Sequence, residues 1–334
     1  ETTDTESGGS ITVVTGYSTK TSSGSYSLST PNAGLAGVSG QIDVHTGTAS
    51  AGDSGSMILS TGAATQGKGG SFAFSVGSGN TGPGGAVSIT AGETTDDQSV
   101  GGAITITAGA GTNTDSDDGG DGGSITITAG IARGGHEFDN GGDIVVAGGE
   151  ASSGSGGDIS LTTGYGIATS SGSISLQTKQ SGPAGVSGSV RVATGSSSNG
   201  DSGLYALTTG DATNGKAGSI ALTVGSGNSG QGGHITMSAG ETTDTESGGS
   251  ITVITGYSTK TSSGSYSLST PNAGLAGVSG KISMSTGTAS DGDTGSFFIT
   301  SGDATNGKAG SFLLKLGSGN SGQGGHITMS AGET

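Results

Sequence analysis

The densest concentration of chemically capable side chains is the run Asn113-Thr-Asp115-Ser-Asp117-Asp118-Gly-Gly-Asp121, which places four carboxylates within seven residues around a Gly pair. Hard oxygen donors on a pliant backbone suit Ca²⁺. Asp115, Asp117, Asp118 and Asp121 therefore form the candidate cation site, and calcium is the one candidate cofactor. The closing Glu of an EF-hand is missing, and a solvated acidic loop in a net-negative chain is the plain alternative. Glu1, Asp4 and Glu6, Glu93, Asp96 and Asp97, and Glu241, Asp244 and Glu246 are sparser acidic clusters. The Gly-Gly-x-Gly-x-Asp spacing of calcium-roll repeats does not recur.

Ordered hydroxyls are the second candidate chemistry. Thr105 and Thr107 occupy the same repeat positions as Thr126 and Thr128, giving a Thr-x-Thr pattern that resembles the flat face of ice-binding β-solenoids. Asp43, His45, Val145, Ala147, Arg191, Phe298, Leu313 and Lys315 interrupt that face. A soluble, strand-favouring surface is the simpler account of the hydroxyls. Apolar residues recur at outward positions, with Ile58, Phe298 and Leu313 the largest. They form a candidate interaction stripe, set against the alternative of locally thicker packing. No catalytic residue is assigned: only four His occur, and His234 and His326 are one repeat position copied. The Gly-rich stretches lack the Gly-Lys-Ser/Thr ending of a phosphate loop.

All of these groups ride on a repeat. A Gly recurs at 9, 24, 40, 55, 70, 85, 102, 123, 142, 157, 172, 188, 203, 218, 233, 249, 264, 280, 295, 310 and 325, giving 21 units, mostly 15 or 16 residues long. The second and fourth residues after each such Gly are apolar, from Ile11 and Val13 to Ile327 and Met329, while the third and fifth are mostly Ser or Thr. Alternation with a period of two reads as a half-buried β-strand. The seventh residue is Gly except at Pro31, Lys179 and Pro271. Near-identical units favour stacking in register. The expectation is an all-β parallel β-solenoid of about 21 coils, thin in the core and without helices, running as one continuous domain over residues 1–334. Three atypical coils over residues 101–155 carry the long acidic loops. Residues 1–40 recur as 241–280 with Val14 replaced by Ile254, and the last residues lead into the first as one copy leads into the next. The chain reads as a window on a longer array.

Composition sets the limits. The chain has 334 residues, 75 of them Gly, 4 Pro and no Cys, and carries a net charge of −16 with ten Lys and Arg. Such Gly content makes a disordered, low-complexity chain the rival fold reading, against which the regular alternation argues. No basic stripe exists to displace counterions from phosphate, so nucleic acid is an unsuitable partner. Without Cys there is neither a disulfide framework nor a thiolate site. No apolar run approaches the length of a membrane span.

The units Gly-Gly-Ser-Ile-Thr-Ile-Thr-Ala-Gly and Ser-Gly-Ser-Ile-Ser-Leu-Gln-Thr resemble those of the long Gly/Ser/Thr-rich tandem-repeat extracellular proteins predicted from diatoms and other microalgae. The resemblance covers essentially the whole chain, and the acidic insertions between residues 110 and 140 depart from it. It implies an extracellular or cell-surface structural protein, not an enzyme, forming a fibre by end-to-end or lateral self-assembly. Glycans are an expected partner through the Ser- and Thr-rich turns. A binding module, ice-binding or a Ca²⁺-dependent adhesin, is the alternative.

Overall fold

The computed structural model describes residues 8–332. The acidic cluster of Glu1, Asp4 and Glu6, and the junction by which one copy would lead into the next, lie outside the described residues. Contacts divide the chain into two units, Glu1–Ile174 and Ser175–Thr334.

Neither helix nor β-strand forms among the described residues. This overturns the expected parallel β-solenoid of stacked coils. Stacking would place the main hydrogen bonds between equivalent residues of successive repeats, Gly24 over Gly9 for example. Instead the backbone bonds run across single loops. In the first unit the N–H of Gly24 donates to the carbonyl of Gly16 at 2.8 Å, and Gly102 pairs in the same way with Gly92, Gly123 with Gly109, Gly142 with Gly130, Gly157 with Gly149 and Gly172 with Gly164. In the second unit Gly249 closes on Gly240 and Gly264 on Gly256. Each closure joins the Gly that opens a repeat to the seventh residue of the repeat before it. Where these bonds form, the result is an Ω-type loop whose ends meet at its own base, and among the described residues the intervening alternating segments make no backbone pairing with one another.

Closure tracks the sixth residue of a repeat where it is Ala, Gly or a large aliphatic, and varies where it is Thr: Thr163 and Thr255 accompany the backbone bond, whereas Thr46, Thr178, Thr194 and Thr286 accompany no closing bond among the described residues. Wherever that residue is Ala or Gly and the next repeat follows, at Ala91, Ala108, Ala129, Gly148 and Ala239, the backbone bond forms. A small side chain lets the incoming Gly approach: a Cβ on Gly102 would lie 3.2 Å from the Gly92 nitrogen and 3.3 Å from the Ala91 Cβ. Where the sixth residue is Val76, Val224 or Leu316, no such bond is made. The branched side chain occupies the approach, and a Cβ on Gly85 would meet the Val76 Cγ1 at 2.6 Å. Threonine offers a second route. Thr30 and Thr270 donate from Oγ1 to the carbonyls of Gly40 and Gly280 at 3.0 and 3.1 Å, and Thr61 and Thr209 reach Gly70 and Gly218 at 3.3 Å. Thr15 uses both, its hydroxyl donating to Gly24 O at 2.9 Å beside the backbone bond.

Loop tips are encoded locally. Gly82, Gly230 and Gly322 stand at one repeat position and share a left-handed φ of 72°, 76° and 83°, a conformation that only Gly enters without steric cost. The same local sequence therefore sets the same tip in both units.

No residue is buried, apolar or polar, among the described residues, and the accessible surface is 33534 Å². A globular protein of this mass exposes about 12,000 Å² and its unfolded chain about 45,000 Å². The thin core expected from the alternation does not form, for a reason visible in the loops. A sheet face needs a second apolar layer to bury against. Several return segments, such as Asp211-Ala-Thr-Asn-Gly-Lys216, contain no large apolar residue. Where a return segment does contain large apolar residues they point to solvent, Leu35 and Val38 being fully or almost fully exposed. The alternation survives only as a bias: Met57 is 49 % exposed, Ile58 83 % and Leu59 67 %.

Candidate functional site

The acidic loop over residues 109–123 is built by its own turn chemistry. Its base is the bond from Gly123 N–H to Gly109 O at 2.8 Å. Inside, the Asp115 N–H donates to Asn113 Oδ1 at 3.1 Å and the Asp117 N–H to Asp115 Oδ1 at 3.0 Å. These are consecutive Asx turns, in which a short polar side chain stands in for a backbone carbonyl. The Gly120 N–H returns to Asn113 O at 3.3 Å. Gly111 packs so closely on the Gly120 carbonyl that no Cβ fits there.

Folding this loop does not gather its carboxylates. Among the described residues, no group of three or more His, Asp or Glu is placed to hold a metal ion. An oxygen of Asp115 is engaged by the Asp117 amide, and Asp115, Asp117, Asp118 and Asp121 are all exposed. As arranged, they do not make the oxygen shell that Ca²⁺ takes. The other described clusters behave alike. Asp96 accepts from the Ser99 hydroxyl and donates its N–H to Thr94 Oγ1 at 3.1 Å. Asp244 accepts from the Thr245 N–H at 2.8 Å. These carboxylates act as turn acceptors.

The loop over residues 130–142 carries a turn for which the repeat pattern gave no expectation. Asp139 Oδ2 accepts from the His136 N–H at 2.9 Å, and the Asp139 N–H returns to His136 O at 3.0 Å. The rings of His136 and Phe138 lie 5.2 Å apart. The Asp139 carboxylate fills the space where Gly134 would carry a side chain. The signal in the sequence is the His-x-x-Asp spacing inside a Gly-flanked loop.

On the extended segments, Asp43 and His45 meet at 3.2 Å, as residues two apart on one side of an extended chain can. Both are exposed, so the pair contributes little. Ile58, Phe298 and Leu313 are each the most exposed of three consecutive large apolar residues: Phe297 is 57 % exposed, Phe298 83 % and Ile299 59 %. They stand on the outward side as the alternation requires. Their neighbours are exposed too, so no bounded apolar patch sets them apart. The hydroxyls at 105, 107, 126 and 128 do not form a stacked face either, because the ladder that would align them is absent. That removes the flat surface on which the ice-binding alternative depended.

Among the described residues there is no pocket, and no helix is long and apolar enough to cross a membrane. Comparison with protein-family models, curated proteins and solved structures found no match to this chain.

Proposed function

We propose that the chain is an extracellular structural protein: a tandem array of small closed loops whose extended segments join neighbouring copies laterally into fibres or a matrix. The observation that carries this reading is the repetition of one alternating segment, without backbone pairing among the described residues, between loops many of which close at the same repeat position. Each segment offers free backbone donors and acceptors together with exposed apolar side chains, a combination that in an edge strand recruits another chain. A second copy matches both the spacing and the pattern.

Charge placement favours such pairing. Of 26 carboxylates only Asp43, Asp143 and Asp158 lie within the segments, so the repulsion due to a net charge of −16 is concentrated in the loops. Loop charges are screened at physiological salt, where the Debye length is about 8 Å. Extracellular placement follows the resemblance to Gly/Ser/Thr-rich surface repeats, and Ser and Thr at the exposed turns are suited to carrying sugars.

Sedimentation velocity over a range of protein and salt concentrations tests the reading. Association that grows with both, yielding fibres or networks in electron micrographs, is the expected result. A strictly monomeric chain up to its solubility limit at physiological salt would sink it.

A further inference from the structure

We propose that Asn214 and Asn306 are sites of spontaneous covalent modification, at which the chain converts its own loop amides to carboxylates and isoaspartyl linkages as it ages. The chemistry is intramolecular. The backbone nitrogen of the following residue gives up its proton to hydroxide and attacks the Asn Cγ, and the amide nitrogen leaves as ammonia. Water then opens the five-membered imide. Cleavage at the Cγ–N bond yields Asp, and cleavage at the backbone C–N bond yields isoaspartate. The net change is one water consumed, one ammonium released and one negative charge gained.

Three conditions decide whether an Asn reacts this way: an unhindered following residue, a following N–H that is not tied up, and a backbone free to bend. Asn214-Gly215 and Asn306-Gly307 meet all of them. Both dipeptides are exposed and sit at the bends of loops of equal length. Around Gly215 and Gly307 the side-chain position is open, with nothing within 4 Å. Among the described residues neither glycine N–H makes a hydrogen bond to backbone, and neither Asn amide takes part in the side-chain bonds that hold the other turns. No Asn-x-Ser/Thr sequon occurs, so N-linked sugar does not block these amides.

Asn199-Gly200 is a third dipeptide of this kind, exposed, at a bend and without a backbone hydrogen bond at its glycine N–H, and differs in the φ of 136° at Gly200. The repeat supplies its own controls. The same bend in the first copy carries Gln66-Gly67, also open and exposed, but an extra methylene makes ring closure six-membered and slow. Asn228 and Asn320 are followed by Ser rather than Gly. Asn140-Gly141 adjoins a loop base, where the Asn140 N–H donates to Phe138 O at 3.1 Å and the Gly142 N–H to Gly130 O at 3.0 Å, which restrains the bending that the attack needs.

The consequence is a change in local charge. Each loop now balances one carboxylate with one ammonium, Asp211 with Lys216 and Asp303 with Lys308. Conversion leaves each with an excess negative charge, and the isoaspartyl form also lengthens the backbone by one atom.

The test is prolonged incubation of the full chain at 37 °C at two pH values, followed by peptide mapping with fragmentation that separates Asp from isoaspartate. Asn214 and Asn306, with Asn199, are expected to lose their amides before the other Asn residues, with isoaspartate the major product and rates rising in proportion to hydroxide. Gln66 should persist. A Gly215→Ala variant, which the open space accommodates, should slow Asn214 at least several-fold and leave Asn306 in the same molecule unchanged. Persistence of Asn214 and Asn306 for as long as Gln66, or an undiminished rate at Asn214 in that variant, overturns the proposal. Since each site is read against another in one chain, self-association biases neither comparison.

Discussion

Gly123 donates its N–H to the carbonyl of Gly109 at 2.8 Å, the same closure, at the same length, that Gly24 makes with Gly16 over a loop six residues shorter. The closing bond therefore tolerates loops of different length, and Ala or Gly at the sixth residue of the preceding repeat accompanies it wherever the next repeat follows.

Changing that residue should switch the closure. Ala91→Val is expected to break the bond between Gly102 and Gly92 by filling the approach. Val224→Ala should allow Gly233 to close on Gly225, where no backbone bond now exists. Amide proton temperature coefficients of Gly102 and Gly233 measure both, and they should move in opposite directions.

The threonine closure is weaker and should show it. Thr30→Val preserves shape while removing the donor to Gly40 O. For an exposed hydrogen bond the expected cost is about 0.5 kcal/mol, roughly a twofold loss in the closed-to-open ratio. Nuclear Overhauser contacts between residue 30 and Gly40 report it, and an unchanged population would show that packing alone closes this loop.

The acidic loop yields a discriminating pair of variants. Asp115→Asn keeps the Oδ1 acceptor and should preserve the turn at Asp117, whereas Asp115→Ala removes the acceptor and should open it. The Asp117 amide shift distinguishes them. Equal loss in both variants would mean that charge, not acceptor geometry, holds the turn.

With no buried residue among those described, there is no packed interior to melt cooperatively. Scanning calorimetry of the dilute chain should record no heat-absorption peak. A sharp peak that persists at low concentration would reveal a core.

The repeat units were legible in the sequence, and their arrangement was not. The positions of the repeat-opening glycines were read from the sequence; that each from Gly24 to Gly325 lies against the sixth or seventh residue of the repeat before it, as Gly40 does against Thr30, was not, since stacking of Gly on Gly was expected. The alternating pattern also predicted which of Met57, Ile58 and Leu59 would face outward most. What it did not reveal was whether the segments pair. Alternation specifies the side on which each residue stands, whereas a ladder needs an opposing layer, and Leu35 and Val38 do not provide one. For the acidic loop, Asn and Asp two residues apart do encode Asx turns. Convergence of four carboxylates on one point depends on how the whole loop folds, and spacing alone carries no such information.

Closure confined to a single loop and its two flanks has a consequence for the gene. Removing or duplicating one repeat strands no partner elsewhere, so misaligned recombination can change copy number without leaving a misfit at the junction. The longer loops over residues 109–123 and 130–142 are insertions tolerated on the same terms. The recurrence of residues 1–40 as 241–280 with one substitution is the kind of record that such exchange leaves, and length in this protein is a trait that selection can adjust one unit at a time.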